Sequence, residues 1–559
     1  MKKYLLVLLN IFSVIIFAQN NKPSTPKLII GIVIDQMRYD YLIKFQKNFT
    51  KGGFNRLINE GIFLKNIHYN YIPTYTAPGH ASIYTGTTPR YHGIIANEWY
   101  DKKQNKEIYC VQDYSVSSIG TSNSNGQMSP KNLIASTITD ELKLLFKDNC
   151  KVIGISIKDR SAILPAGHLA DAAFWWDDQT GNFITSSFYQ NQLPQWLVNF
   201  NQQNLSLSYL QKNWDLLLPK DKYVSALPDS NRYERSLIKT QAPKFPYDFS
   251  TYVNNKNVSI LKYTPYGNSI LIDLAKECIL QEKLGKHKNP DFLCISFSST
   301  DYIGHLYGTE ALELEDAYYR LDRDLNNFIN FLDKNIGKDN YLLFLTADHA
   351  GAYNTQYLKD NKFSVNYFSE IKLQQDLKNF LQSKYKDSSL VLNISNNQIF
   401  LNHNKITTNN LSLDQLKKDI QQFCYQYPEI AEVFLKEDLI RNNPKDFSLY
   451  GLVANGFSPS RSGDIVFVLH PGCMDYSTQG TTHGSAYNYD THVPLIFYGF
   501  KNKSLESTKF YRITQIAPTL SFILSINLPN ACFDTPIDEV LDNVNAYYSN
   551  FSPAYDSGR

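Results

Sequence analysis

Residues Lys27–Asp35 read KLIIGIVID, an uninterrupted apolar run rich in β-branched side chains that ends in a carboxylate. Such a run is typical of a parallel strand that is buried on both faces. Similar runs recur along the chain, as GIFLKNIHYNYI (61–72), KVIGISI (151–157), DFLCISFS (291–298), NYLLFLTAD (340–348), DIVFVLHPG (464–472) and VPLIFYG (493–499). Amphipathic helical patterns separate these runs, and the alternation predicts an α/β fold with a doubly wound, mostly parallel central sheet flanked by helices.

Two segments interrupt the alternation and predict insertions into this core. Residues 175–264 are rich in Asn, Gln, Tyr, Trp and Pro with weak periodicity, which indicates a loop-rich insertion. Residues 355–460 carry a helix, strand and helix pattern, which indicates a small α+β insertion. The core would then comprise residues 26–174, 265–354 and 461–545, followed by a tail at 546–559. Within the first core segment, SPKNLIASTITDELKLLF predicts a helix with Ser129 as its N-cap.

The N-terminus, MKKYLLVLLNIFSVIIFAQNN, has two lysines, a short apolar run and a small residue before a polar stretch. This is the pattern of a secretory signal peptide over residues 1–19, so we expect a periplasmic or secreted protein with no stable membrane anchor after cleavage. The net charge of +2 shows no clustered basic face, which disfavours a nucleic-acid partner. The seven cysteines contain no C-x-x-C pair, which disfavours a thiolate zinc site. A monomer is expected.

Six residues with metal-binding side chains lie at or just beyond the ends of predicted strands. Each is weak evidence alone, since an acid after a strand often caps a helix and a loop histidine is often exposed. The set comprises Asp35, Asp301, His305, Asp348, His349 and His483. Mixed oxygen and nitrogen ligands without thiolate suit zinc in a catalytic site, with Mn and Fe as alternatives. Six ligands divide into two sites of three, and two ions about 4 Å apart form a clamp for displacement at phosphorus.

The stretch Tyr71–Gly86, YIPTYTAPGHASIYTG, places Thr76 just before a Pro and a Gly at the predicted start of a helix. One interpretation is that Thr76 caps the helix, and the other is that it is a nucleophile. The free N–H groups of a helix start also suit a bound anion. The local sequence therefore fits both interpretations.

Several motifs, taken together and in order, resemble the alkaline phosphatase superfamily. They are VIDQMRYDY, PTYTAPGHASIYTG, HGIIANEWYD, SIKDRSAILPAGH, STDYIGH, TADHAG and GTTHGSAYNYDTHVPLIFYG. The similarity runs from about residue 26 to 541 and is greatest to the PafA-type, phosphate-irrepressible alkaline phosphatases of the periplasm.

The resemblance implies a site with two Zn²⁺ ions per chain. Asp35, Asp348 and His349 would hold one ion, with the Thr76 nucleophile as its fourth ligand. The other ion would be held by Asp301, His305 and His483. The matching Asn97, Lys158 and Arg160 would bind phosphoryl oxygens, and a phosphothreonine would form during hydrolysis of small phosphate monoesters. Lys158 and Arg160 alternate just after the run KVIGISI, so we expect them to share one face at a strand end.

Other functions compete with this hypothesis. A phosphodiesterase or nucleotide pyrophosphatase on the same scaffold is the main alternative, although diesterases of the superfamily lack the cationic Lys158–Arg160 pair. A sulfatase is disfavoured because the C/S-x-P-x-R sequence is absent around Thr76. A phosphoglycerate mutase-like isomerase is disfavoured by the signal peptide. An exported binding protein with an inactive site is a further alternative from a different class.

Overall fold

The computed structural model of the chain describes residues 25–225, 227–440 and 445–544. The predicted signal peptide at 1–19 and the predicted tail at 546–559 lie outside these residues. In the described part of the chain, no helix combines the length and the apolar character needed to cross a membrane.

Sixteen strands are present in the described residues. They are β1 Leu28–Ile34, β2 Ile62–His68, β3 Glu98–Asp101, β4 Lys106–Tyr109, β5 Ser118–Ile119, β6 Val152–Ser156, β7 Ala172–Trp176, β8 Phe183–Ser186, β9 Asp291–Phe297, β10 Tyr341–Thr346, β11 Val391–Ser395, β12 Gln398–Leu401, β13 Ile430–Leu435, β14 Ile465–Leu469, β15 His492–Gly499 and β16 Leu505–Arg512.

Ten strands form the central sheet, in the order β16-β2-β15-β10-β1-β9-β6-β7-β8-β5. Its middle, from β10 through β1, β9 and β6 to β7, is parallel throughout. Strand β15 breaks the pattern, because it pairs antiparallel with both β10 and β2. Every residue of β1 and β9 is buried, as expected for strands covered on both faces. The predicted fold class is therefore confirmed.

The α-helices cover both faces of the sheet and fill the insertions. They are Tyr39–Lys44, Phe54–Glu60, Thr76–Thr85, Pro89–His92, Ile138–Phe146, Asp159–Ala166, Gln195–Gln202, Leu205–Leu210, Ser250–Asn254, Tyr266–Gln281, Ser299–Tyr307, Leu312–Asn335, Thr355–Asp360, Glu370–Tyr385, His403–Thr408, Leu413–Cys424, Lys436–Ile440, Leu449–Gly456, Asn488–Thr491, Ile516–Leu524 and Asp538–Asn543.

A second, four-stranded sheet, in the order β11-β12-β14-β13, has its own apolar core. Strand β14, expected in the core segment 461–545, pairs antiparallel with β12 and β13 in this small sheet instead. An apolar run of five residues fits a central strand of either sheet, so its composition could not decide between them. The segment 175–264 also supplies β8, which pairs with β7 and extends the central sheet.

The helix expected from Ser129 begins later in the structure, at Ile138. Thr137 caps it, because its side chain accepts a hydrogen bond from the Asp140 N–H while the Asp140 carboxylate accepts one from the Thr137 N–H. The Ser129 hydroxyl donates to Asp113 Oδ2 instead. The sequence contains two cap signals in this stretch, and the one with an acid three residues later forms the capping box.

Two buried acids lie near each other in the loop-rich segment and the long helix Leu312–Asn335. Glu313 lies in the first turn of that helix and is fully buried, and Glu234 of the loop-rich segment is 1% exposed. Tyr247 donates to Glu313 Oε1 at 2.6 Å. Burial and the neighbouring Glu313 carboxylate raise the pKa of Glu234 to about 9, and burial raises the pKa of Glu313 to about 8. The pair therefore retains protons at neutral pH.

Candidate active site

Three carboxylates meet at the carboxyl end of the parallel strands. Asp35 follows β1 directly, Asp348 lies two residues beyond β10, and Asp301 lies in the first turn of the helix after β9. Because β10, β1 and β9 are neighbours in the sheet, these side chains converge. All three are buried, with at most 2% of each residue exposed.

Lys158 joins two of these carboxylates. Its Nζ lies 2.7 Å from Asp35 Oδ2 and 2.6 Å from Asp301 Oδ2, and the residue is only 4% exposed. The two carboxylates raise the pKa of Lys158 against the lowering effect of burial, so the ammonium is charged. Burial and the Asp301 carboxylate raise the pKa of Asp35 to about 6. Burial and the Asp35 carboxylate also raise the pKa of Asp348 well above its usual value.

Three histidine rings direct the same nitrogen, Nε2, toward the same centre. The Nδ1 atom of His305 lies 2.8 Å from Thr481 O, that of His349 lies 2.9 Å from Ala350 O, and that of His483 lies 2.8 Å from Thr74 O. A carbonyl oxygen can only accept, so each Nδ1 carries a proton, and in a neutral ring Nε2 then offers a lone pair. Hydrogen bonds of this kind fix the tautomer of a metal-binding histidine.

The Nε2 atoms point at the carboxylates. That of His349 lies 3.4 Å from Asp35 Oδ1 and 3.6 Å from Asp348 Oδ2, and that of His305 lies 3.2 Å from Asp301 Oδ1. The His483 Nε2 lies 3.6 Å from the same Asp301 oxygen. Burial lowers the pKa of His349 to about 3, and burial together with His349 lowers that of His483 well below its usual value. Both rings are therefore neutral.

These groups fit metal ions. Ligand atoms of Asp35, Asp348 and His349 lie within 4.8 Å of one another, and so do those of Asp301, His349 and His483. Among the described residues, Asp35 Oδ1 and Asp348 Oδ2 are buried without a hydrogen-bond partner. A buried, unpartnered carboxylate oxygen is costly unless a cation satisfies it. The compact second group contains His349 where the sequence predicted His305, although His305 still contacts Asp301.

Thr76 is not the cap of its helix. It is the first residue of the helix Thr76–Thr85, and the preceding Tyr75 is extended and makes no side-chain cap. The Thr76 Oγ1 lies 3.5 Å from His349 Nε2, so the hydroxyl faces the Asp35–Asp348–His349 group. Gly79 makes this approach possible, because a Cβ there would lie 2.2 Å from the Asp348 carbonyl oxygen.

The other predicted side chains surround the start of this helix. Asn97 Oδ1 accepts a 2.9 Å hydrogen bond from the Ala77 N–H, which leaves its Nδ2 group as the available donor. Lys158 and Arg160 were expected to alternate at a strand end, but β6 stops at Ser156. Lys158 instead precedes the helix Asp159–Ala166 and Arg160 lies in its first turn. Both side chains nevertheless line one cavity.

Gln36 is a site residue that the sequence did not reveal. Its Nε2 donates to Asp301 Oδ1 at 2.8 Å and its backbone N–H donates to Asp348 Oδ1 at 3.2 Å, so it links both candidate metal groups. Its φ of +62° is rare outside glycine, and Gly304 gives its side chain room. Nothing in the sequence marks a glutamine that follows a strand ending in an acid as a site residue. His80, expected to be structural, lies 2.8 Å from both Thr76 O and Ser296 Oγ.

Comparison with known proteins agrees with this geometry. The chain matches the family described as type I phosphodiesterase / nucleotide pyrophosphatase over residues 29–493. It is 42% identical to the alkaline phosphatase PhoV of Synechococcus elongatus, with 93% of each chain covered. It is 41% identical to a protein of Myroides odoratus named calcium-transporting ATPase, with 94% of this chain and 96% of that one covered.

A crystal structure of alkaline phosphatase PafA superposes on the chain with a TM-score of 0.89 at 38% identity, covering 93% of this chain and 99% of that one. The chain therefore belongs to the type I phosphodiesterase and nucleotide pyrophosphatase family, and within it to the PafA-type alkaline phosphatases.

Proposed function

We propose that the chain is an exported, zinc-dependent phosphomonoesterase that hydrolyses small phosphate monoesters through a phosphothreonine at Thr76. The observation that carries this proposal is the Lys158–Arg160 pair near a threonine that faces converging carboxylates and imidazoles. A phosphate monoester brings two negative charges, and this pair offers two positive charges to its non-bridging oxygens. The expected periplasmic or secreted location and the monomeric state are part of the same proposal.

The metal would be zinc, two ions per chain. Asp35, Asp348 and His349 would hold one ion, and Asp301, His305 and His483 the other. Oxygen and nitrogen donors without thiolate are typical of catalytic zinc sites, and neutral imidazoles with fixed Nε2 lone pairs suit this metal. When bound, the ions would supply Lewis-acid stabilisation of the attacking and leaving oxygens.

The residues of the chain itself perform the positioning and the covalent step. Thr76 Oγ1 attacks phosphorus in line with the leaving oxygen, loses its proton and forms a phosphothreonine, and the leaving alkoxide takes up a proton. Water then cleaves the phosphothreonine and releases inorganic phosphate. Thr76 faces the Asp348 side of the centre, so the leaving oxygen would depart on the Asp301 side.

The non-bridging oxygens would be held by three kinds of donor. Lys158 is fixed between Asp35 and Asp301 and acts as a point charge. Arg160 offers a planar set of N–H groups, and Asn97 offers its amide. The N-terminus of the helix Thr76–Thr85 adds its positive end, which favours an anion at this position.

Trapping the phosphoenzyme tests the proposal. We expect acid quench during turnover of a ³²P-labelled monoester to leave the label on the peptide that carries Thr76, and Thr76→Ala to abolish both label and turnover. Thr74→Ala is the matched control, because Thr74 Oγ1 donates to the Ser485 carbonyl oxygen at 3.1 Å and lies outside the proposed chemistry. Label on Thr74, or turnover by Thr76→Ala near that of the wild type, would contradict it.

Metal analysis tests the cofactor. We expect about two zinc ions per chain by mass spectrometry, a prediction that rests on the two candidate ligand groups. Full turnover of a phosphate monoester after exhaustive chelation would refute the metal part of the proposal. The assignment of the nucleophile would still be tested by the trapping experiment.

A phosphodiesterase or nucleotide pyrophosphatase is the second candidate, because that is the description of the family that the chain matches. The same Thr76, metal ligands and Asn97 would serve a diester. A monoanionic diester does not require the Lys158–Arg160 pair. The relative turnover of monoesters and diesters therefore decides between the two functions.

A further inference from the structure

A cavity of about 220 Å³ lies directly against the two cations of the site. Lys158 and Arg160 form one wall, and Tyr302, Trp176 and Lys262 are among the residues of the others. The cavity adjoins the phosphoryl position proposed above, because Lys158, which lines it, also contacts Asp35 and Asp301.

Arg160 has hydrogen-bonding capacity to spare on this side. Its Nη1 donates to Tyr109 Oη at 2.9 Å, and within the described residues its Nε is buried with no partner. A buried guanidinium N–H without a partner is costly. Tyr109 in turn donates to Asp159 Oδ1 at 2.5 Å, which fixes the position of the phenol. The guanidinium therefore stands ready for an anion at the inner end of the cavity.

Tyr302 places one wall of the cavity next to Asp301. Tyr302 follows Asp301 directly on the helix Ser299–Tyr307, and Thr76 Oγ1 contacts His349. In an in-line displacement the leaving oxygen lies opposite the nucleophile. A leaving group that departs past Asp301 therefore meets Tyr302 and the cavity behind it.

Two ammonium groups flank the Tyr302 ring. Lys158 Nζ lies 5.0 Å and Lys262 Nζ lies 5.5 Å from its centroid. Lys262 also forms an ion pair with Asp178 at 2.8 Å, and its side chain is 18% exposed against 39% for Asp178. Lys262 thus points inward, and the partner that neutralises it lies farther out at the rim.

The size of the cavity limits what it can hold. Pockets for drug-sized ligands are typically about 300–1,000 Å³, so a cavity of about 220 Å³ suits a compact group such as one substituted ring or a short chain. An aromatic face with a cation beyond it favours a leaving group whose far end is anionic.

We propose that this cavity is the leaving-group subsite of the phosphomonoesterase proposed above, and that Lys262 makes it favour compact leaving groups that carry a second anionic group, such as a carboxylate. The proposal rests on the proposed function, since it assigns a leaving group to that reaction. Lys262 determines specificity and takes no part in the chemical step.

Two substrates that differ only at the far end of the leaving group test it: phenyl phosphate and 4-carboxyphenyl phosphate. The measured quantity is the ratio of their kcat/KM values, carboxyphenyl over phenyl. We expect Lys262→Ala to lower this ratio about tenfold, as for loss of one charge-assisted contact. Asp178→Asn should raise it about threefold, because it removes the carboxylate that competes for Lys262. Lys239→Ala, which changes an exposed lysine of the same loop-rich segment, should leave it unchanged.

Opposite changes in the two variants support the subsite. A ratio that stays within twofold of the wild type in either Lys262→Ala or Asp178→Asn overturns it, and so does an equal loss with both substrates in Lys262→Ala. These outcomes differ from failure of the proposed function, in which the wild type would hydrolyse neither monoester and no label would appear at Thr76.

Discussion

Replacing Arg160 by Ala should separate monoester from diester hydrolysis. Arg160 has one partnered nitrogen, at Tyr109, and an unpartnered buried Nε, so its guanidinium can contact non-bridging oxygens beside Lys158. Removing a preorganised donor to developing charge typically costs about 2.7–4 kcal/mol, or about 10²–10³ in rate. A dianionic monoester should lose this full factor. A diester, which has one charge fewer on these oxygens, should lose less than about tenfold, or about 1.4 kcal/mol.

The assay compares kcat/KM for p-nitrophenyl phosphate and bis-p-nitrophenyl phosphate. Arg160→Lys should recover about tenfold of the lost monoester activity, because it restores the charge without the planar set of donors. Arg323→Ala, at an exposed arginine of the helix Leu312–Asn335, is the matched control. Equal losses for both substrates in Arg160→Ala, or a wild type that prefers the diester, would refute the assignment of the cation pair and favour the diesterase.

Three further predictions concern metals and stability. Chelation should lower the melting temperature, because each ion held only by the folded state at 100 times its Kd contributes about 2.7 kcal/mol; an unchanged melting curve would argue against bound metal. Glu234 and Glu313 have folded-state pKa values of about 9 and about 8, so their stabilising contribution is complete below the ordinary pKa of about 4.5, declines as pH rises and is lost above 8–9. Glu313→Gln should therefore flatten the fall in melting temperature between pH 5 and pH 9, and an equally steep fall in both proteins would contradict this. Gly79→Ala should displace Asp348, lower stability by about 1–3 kcal/mol and reduce zinc content, whereas Ala81→Gly should leave zinc content unchanged.

The central sheet and most of the candidate site could be predicted because both depend on strong local signals. The buried runs that became β1, β9 and β10 end near Asp35, Asp301 and Asp348, and parallel strands place their carboxyl ends together. Asp301 and His305 are four residues apart, and both lie on the helix Ser299–Tyr307, where this spacing places them on one face.

What could not be predicted depends on tertiary contacts. No local pattern in the sequence indicated which sheet β14 joins, since both sheets offer it apolar neighbours. Gln36 takes its position from a left-handed backbone turn, and the tautomers of the three histidines depend on carbonyl groups far away in the chain. Lys158 and Arg160 were expected at the end of a strand, but they lie at the start of a helix. The reason is that β6 ends earlier than its apolar run suggests.

The path of the chain through the small sheet sets the order in which the site can assemble. The chain leaves that sheet at β14, supplies His483 in the next loop and then enters the central sheet as β15. β15 pairs with β2 and β10, so it cannot dock until strands from both halves of the chain are in place. A chain made from its N-terminus presents Asp35 first and His483 last. If the ions proposed above are bound, the second ligand group is completed late in synthesis, and a product truncated before residue 483 would lack one of the six proposed ligands.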